Sequence, residues 1–323
     1  MKVSIIIPTK NSAGILEKCL KSIENLDYPK EELEVVIVDG HSEDGTVEIA
    51  RKYGCRVVYE SVGTIGGARN IGVRNSSGEF IVFTDADCVA ERDWLKNLLK
   101  EFRDENIASV GGPNITPEDD SEFGKCVGDV FELLSRAGAR YAYNSKEVVE
   151  IYHNPTCNSA YRREIFERFG GFNPRLVACD DEELDFRIRK AGYRILFTPF
   201  ARVYHYRKSS LKSFARMAWN YGVGRGQVIR LNREMARWYY CTPSLIILLI
   251  LLLIAFSTLN SAFLFIAFLI LLFGFLGIVF LSVYLSLKKR RNPLIYCILI
   301  STWFWCYGIG LLRGLMKGCR YTC

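Results

Sequence analysis

A chain of 323 residues, half of them hydrophobic, with a net charge of +7, has room for one or two domains. Its 11 cysteines are scattered without a C-x-x-C pair, which excludes the usual zinc and thioredoxin-like patterns and fits a reducing compartment. The positive charge gathers beside apolar segments, so it points to a membrane surface and not to nucleic acid.

In chain order, Val3–Ile7 reads as a strand and Ala13–Asn25 as a helix with Ile15, Leu16, Cys19, Leu20 and Ile23 on one face. Val35–Val38 is a strand, Thr46–Tyr53 a helix, Arg56–Tyr59 a strand and Gly67–Asn75 a helix. The apolar run Phe80–Thr84 is a buried strand, and Asp93–Arg103 a helix. This alternation predicts an α/β domain with a mostly parallel, doubly wound sheet.

Open sheets of this kind bind ligands at the carboxyl ends of their strands. Three such ends are polar: Pro8-Thr9-Lys10-Asn11, Asp39-Gly40-His41-Ser42 and Asp85-Ala86-Asp87. The i, i+2 spacing of Asp85 and Asp87 puts both carboxylates on one side of an extended backbone. Such a pair offers hard oxygen ligands to Mg²⁺ or Mn²⁺, which can hold a diphosphate in turn. No G-x-x-x-x-G-K-[ST] phosphate loop is present. Gly222-Val223-Gly224-Arg225-Gly226 follows no strand and reads as a bend near the membrane surface. Cys88, beside Asp87, reads as a packing residue.

Farther on, Asn154-Pro155-Thr156-Cys157-Asn158 reads as a loop and Ala201–Tyr204 as a short strand. Cys179-Asp180-Asp181-Glu182-Glu183 reads as a helix N-terminus, where acids are favoured by the dipole. One of these carboxylates is a candidate general base, its pKa raised by its crowded neighbours.

From Ser244 to Leu287 no residue is charged, enough for two membrane passes with a turn at Asn260-Ser261. A third apolar run, Leu294–Leu312, follows Lys288-Lys289-Arg290-Arg291. No signal peptide is visible, so the N-terminal part is expected to be cytoplasmic, with that basic cluster on an inside loop. The C-terminus then falls outside, against the bias of Arg313, Lys317 and Arg320; a third segment that re-enters, broken near Gly308 and Gly310, would remove the conflict. Cys319 and Cys323 are close enough in sequence to pair there. The expected domains are 1–207, a basic interfacial segment 208–240, and a membrane region 241–323 with helices at about 244–259, 261–287 and 293–312.

Five ordered segments resemble family 2 glycosyltransferases: Ile5-Ile6-Ile7-Pro8-Thr9-Lys10-Asn11; Val38 to Thr46; Gly67-Ala68-Arg69-Asn70-Ile71-Gly72; Thr84 to Asp87; and Asp180-Asp181-Glu182-Glu183-Leu184 with Arg187 and Gly192-Tyr193. The resemblance covers about the first 200 residues. It implies a GT-A fold and inverting transfer from a UDP- or GDP-sugar. It places Pro8, Thr9, Asn11, Asp39, Arg69, Asp85 and Ala86 at the nucleotide. Asp87, with Asp85 and His205, would hold a divalent metal, Mg²⁺ or Mn²⁺. Asp181 would be the base, and Asn158, Asp180 and Arg216 would face the acceptor. Gly40 stands where many relatives have a second Asp, and the Q-x-x-R-W motif of processive synthases is missing. With the basic and apolar C-terminal third, the expected acceptor is lipid-linked, either a polyprenyl or dolichyl phosphate or a lipid-linked glycan. The alternatives are a sugar nucleotidyltransferase and a non-catalytic sugar-nucleotide-binding membrane protein.

Overall fold

The computed structural model describes residues 1–136 and 145–317; Cys319, Arg320 and Cys323 lie outside the described residues. Two compact units emerge among the described residues, one from 1–118, 134–136 and 145–206, the other from 119–133 and 207–317. A short stretch within the N-terminal two-thirds of the sequence thus packs with the C-terminal unit.

In chain order the elements are β1 (Val3–Thr9), α1 (Ala13–Glu24), β2 (Leu33–Asp39), α2 (Thr46–Lys52), β3 (Arg56–Tyr59), α3 (Ile65–Arg74), β4 (Phe80–Thr84), β5 (Cys88–Ala90), α4 (Trp94–Leu99), β6 (Ile107–Gly111) and β7 (Asn114–Ile115). Then come α5 (Glu122–Arg136), β8 (Val149–Glu150), β9 (Asn158–Arg162), α6 (Arg163–Arg168), α7 (Asp180–Lys190), β10 (Arg194–Phe197) and β11 (Val203–His205). Up to β4 the elements lie where the alternation puts them. The helix expected over Asp93–Arg103 stops at Leu99, because the chain turns through Glu101 and Phe102. That turn seats the Phe102 ring 4.8 Å from the Phe80 ring.

The large sheet has the order β3-β2-β1-β4-β9-β6-β10-β8. Strands β1 to β4 pair parallel, as expected, whereas β9 runs antiparallel between β4 and β6. That insertion sets Asn158 opposite Thr84, so Asn158 opens a central strand and does not sit in a loop. Strand periodicity explains the two cores. Val3, Ile5 and Ile7 point into one, with Leu16, Leu20 and Trp94; Ile6 points into the other, with Val38, Phe83 and Phe172. Each such buried aliphatic side chain stabilises by roughly 2 kcal/mol. A second sheet, β5-β11-β7, is joined to β4 by the Asp85–Asp87 turn, closed by Cys88 N donating to Asp85 O at 3.0 Å.

The other unit holds α8 (Leu211–Leu231), α9 (Trp238–Phe256), α10 (Ala262–Lys289) and α11 (Pro293–Lys317), together with the apolar face of α5. Three of these, α9, α10 and α11, are long and apolar enough to cross a membrane. The turn at Asn260-Ser261 joins α9 to α10 as expected. Two expectations fail. Gly222–Gly226 forms no bend but lies inside α8, and α11 is unbroken at Gly308 and Gly310. The glycines instead permit close packing. A Cβ at Gly222, Gly226, Gly310 or Gly314 would collide with a carbonyl of the facing helix, at Tyr307, Leu311, Trp219 and Val223 respectively.

Candidate functional site

The carboxyl ends of β1 and β2 form one hydrogen-bonded corner. Asp39 is fully buried. It accepts from Thr9 Oγ1 at 3.3 Å, Ser42 N at 2.8 Å and Ser42 Oγ at 2.6 Å. Fully buried, Asp39 ties the loop that follows β2 to the end of β1. Asn11 is exposed and left-handed, at φ 48°. Its amide oxygen accepts from Glu43 N at 2.9 Å and its N–H donates to Ser42 Oγ at 2.8 Å. His41 is also left-handed, at φ 59°, and its ring stacks on Tyr59 with centroids 5.6 Å apart. Its Nε2 lies 2.9 Å from Glu60 O. A carbonyl only accepts, so Nε2 carries the proton and Nδ1 is left as an acceptor in the neutral ring. Non-glycine residues in this strained region mark corners that surrounding contacts over-determine. Pro8 is half-buried and Thr9 nearly buried beside this corner.

Arg69, on α3, is the electrostatic centre. Its Nη2 lies 3.0 Å from Asp85 Oδ1 and its Nη1 3.5 Å from Asp180 Oδ2. The guanidinium also packs over the Phe172 ring, 5.9 Å from its centroid. Buried and held from two sides, Arg69 braces Asp85 and Asp180. Burial pushes both carboxyls up, Asp180 to about 6, against the opposing pull of Arg69. Ala86, between the acids, packs its methyl group into the apolar core.

Asp87 meets a residue far away in sequence. β11 pairs antiparallel with β5, setting His205 opposite Cys88, and Tyr206 N donates to Asp87 O at 2.9 Å. His205 Nε2 then lies 3.2 Å from Asp87 Oδ1. With Cys88 Sγ they form a group whose ligand atoms all lie within 4.8 Å of one another. Cys88 is the poor member: burial pushes its thiol up, so it stays protonated, and a thiol suits neither Mg²⁺ nor Mn²⁺. An oxygen and an imidazole nitrogen, both partly exposed, fit a divalent ion of that class.

Asp181, half-buried at the first turn of α7, follows Asp180 directly. Its Oδ2 lies 3.4 Å from Thr156 N. Cys179 before it is left-handed, at φ 62°, so the chain enters α7 through another over-determined corner. Asn158 turns out to be structural. It is fully buried, with Oδ1 accepting from Trp94 Nε1 at 2.8 Å and Nδ2 donating to Pro113 O and Ala201 O. Every end of its amide is used within the fold. Arg216 lies on the exposed face of α8, in the other unit. The stack of His41 on Tyr59 was not legible in advance; two aromatic rings at neighbouring strand ends were the available signal.

A family model described as Glycosyl transferase family 2 matches residues 4–170. Over nearly its whole length the chain is similar to a dolichyl N-acetyl-alpha-D-glucosaminyl phosphate 3-beta-D-2,3-diacetamido-2,3-dideoxy-beta-D-glucuronosyltransferase of Methanococcus voltae, at 25% identity over 98% of both chains. It is 30% identical to glycosyltransferase AglE of Haloferax volcanii, over 60% of this chain and 64% of that one. Among solved structures, mannosyltransferase PcManGT from Pyrobaculum calidifontis, in complex with GDP-Man and Mn²⁺, matches with a TM-score of 0.66. That match covers 96% of this chain and 87% of the other at 22% identity, a likeness of fold.

Proposed function

The chain belongs to glycosyl transferase family 2, and from that membership we propose that it moves a sugar from a UDP- or GDP-sugar onto a lipid-linked acceptor at a membrane surface, with inversion. The observation that carries the reading is the Asp87–His205 pair, 3.2 Å apart at the carboxyl side of the sheet. These two residues would hold Mg²⁺ or Mn²⁺, which when bound supplies positive charge to a diphosphate leaving group.

The chain's own residues supply the rest. Arg69, tied to Asp85 and Asp180, fixes the Asp85–Asp87 turn against the start of α7. Asp181, the next residue, takes the proton from an acceptor hydroxyl as that oxygen bonds to the anomeric carbon. The nucleoside diphosphate departs from the opposite face, so one displacement inverts the centre. Pro8, Thr9 and Asn11 line the nucleotide end, with His41 Nδ1 offered as an acceptor to a base N–H. A lipid-linked sugar as acceptor is supported by the likeness to the Methanococcus voltae enzyme over 98% of the chain and by the long apolar helices. The catalytic unit is assigned to the cytoplasmic face on the basic cluster Lys288–Arg291.

The test is nucleoside diphosphate release from UDP- and GDP-sugars, with and without extracted polyprenyl lipids, in Mn²⁺ or EDTA. Lipid-dependent release from one donor is expected, reduced at least ~100-fold in Asp87→Ala. Equal turnover in EDTA and in that variant would remove the metal from the scheme. Pyrophosphate in place of nucleoside diphosphate would establish nucleotidyl transfer instead.

A further inference from the structure

We propose that Asp185, a buried carboxylate one helical turn beyond Asp181, is a positioning residue for the transfer: it anchors residues 154–156, whose far end holds the Asp181 carboxylate in place. The role rests on the reading of Asp181 as the base.

Asp185 is an unusual occupant of its site. It is fully buried on α7 beside Leu184 and Ile188, which are fully buried too. An aliphatic side chain would suit that face better, because a buried carboxylate loses its hydration. Two donors from other parts of the chain compensate. Asn154 N donates to Oδ2 at 2.9 Å, and Tyr161 Oη, from β9, donates to Oδ1 at 2.8 Å. Tyr161 is itself fixed, since its buried ring meets those of Phe83, Phe166 and Phe172 edge-on. Asp185 therefore ties both α7 and residue 154 to the packed core.

Asn154 is held by its side chain as well. Its Nδ2 donates to Leu196 O of β10 at 2.9 Å. Its amide also packs on Gly111 of β6, where a Cβ would lie 2.3 Å from Asn154 Cγ. Pro155 follows; it favours an extended residue 154 and has no N–H of its own to offer. The next donor is Thr156 N, which lies 3.4 Å from Asp181 Oδ2. The spacings match: Asn154 and Thr156 are two residues apart in the loop, Asp185 and Asp181 four apart on the helix, and either step covers roughly 6–7 Å.

The other oxygen, Asp181 Oδ1, accepts from Glu182 N at 2.9 Å. The carboxylate is thus pinned between its own helix and the loop, and the loop bond is the long, adjustable one. Catalytic hydrogen bonds are often long before substrate binds. A shift of the anchor at residue 154 moves Thr156 and turns Asp181. Burial pushes the Asp185 carboxyl up. Protonated, it donates to Tyr161 Oη and still accepts from Asn154 N, the pattern an asparagine makes there. Asp185→Asn therefore preserves the anchor, and Asp185→Ala removes it.

The test is a double-mutant cycle with Asp181→Asn, run on the full chain with UDP- and GDP-sugars and extracted polyprenyl lipids. Turnover is counted per site that binds UDP or GDP in Mn²⁺, so that unfolded protein drops out. Asp185→Ala is expected to lower kcat about 10–100-fold with the donor KM unchanged, and Asp185→Asn to rescue it to within about 3-fold of wild type. In the Asp181→Asn background Asp185→Ala is expected to cost less than about 2-fold, because its effect runs through the base. The same cost in both backgrounds would overturn the positioning role and leave Asp181 as the base. Wild-type turnover by Asp181→Asn would instead remove the base, and this role with it. If Asp185→Ala binds no nucleotide, Asp185→Glu takes its place in the cycle, since it keeps the carboxylate but sets it one methylene too far. Hydrogen exchange over residues 152–158 is read independently of turnover. Faster exchange is expected in Asp185→Ala and wild-type exchange in Asp185→Asn; exchange unchanged in Asp185→Ala would refute the anchor whatever the turnover.

Discussion

Each unit is held by a cluster of acids and bases, and burial sets the two apart. In the sheet unit Arg69 sits between Asp85 and Asp180, with Arg69 and Asp180 side chains only 4% exposed. In the helical unit Asp129 of α5, 11% exposed, faces Lys289 and Arg291, with Glu122 and Glu132 beside it at 51% and 43% exposed. Similar chemistry therefore has unequal consequences. A buried group loses its partner into a medium that cannot solvate it, whereas an exposed one turns to water. The buried cluster can fix a catalytic geometry; the exposed one fastens a loop.

Removing Arg69 should break this contrast most sharply. Arg69→Ala leaves two acids facing each other in a dry site and should cost about 3–5 kcal/mol, read as a large drop in melting temperature near neutral pH. A melting temperature close to wild type would show that the triad is no brace. Asp129→Ala should cost less, about 2 kcal/mol, by stripping Tyr296 and Arg291 of a charged acceptor. If it cost as much as Arg69→Ala, the ranking by burial would fail.

The pH dependence sharpens the comparison further. The Asp180 carboxyl is raised to about 6 in the fold. A raised carboxyl pKa means the folded state holds the proton more tightly. The stabilisation is complete below the ordinary carboxylate value and is lost as pH rises through about 6. Wild type should therefore lose melting temperature between about pH 4 and pH 6.5, and Asp180→Asn should lose less across the same window. Identical pH profiles would show that Asp180 is already ionised throughout. The smallest effect belongs to Glu132→Gln, below about 1 kcal/mol and weaker still in high salt.

Much of the sheet unit was legible because its signals are local. Phe80–Thr84 announces a buried strand by itself, and the strand ends it implies carry Asn11, Asp39 and Asp87. What stayed hidden was what those side chains do. Asn158, Asp39 and Arg69 have the polarity of ligand contacts, and each has partners within the fold that its residue type did not announce: Trp94 for Asn158, Ser42 for Asp39, two acids for Arg69. A residue type states which bonds it can make, not which partner reaches it first. In α8 and α11 the glycines misled for the same reason, since Gly signals both a break and a close approach, and only a facing helix distinguishes them.

By itself the sequence determined the alternating α/β order, the acids at the strand ends and the charge-free stretch from Ser244 to Leu287, because periodicity and composition act over a few neighbouring residues. The tertiary structure decided the antiparallel insertion of β9, the meeting of Asp87 with His205 through the β5–β11 register, and the pairing of α11 with α8. Those depend on contacts between residues far apart in the chain, whose partners are chosen by the packing of the whole unit and leave no local mark.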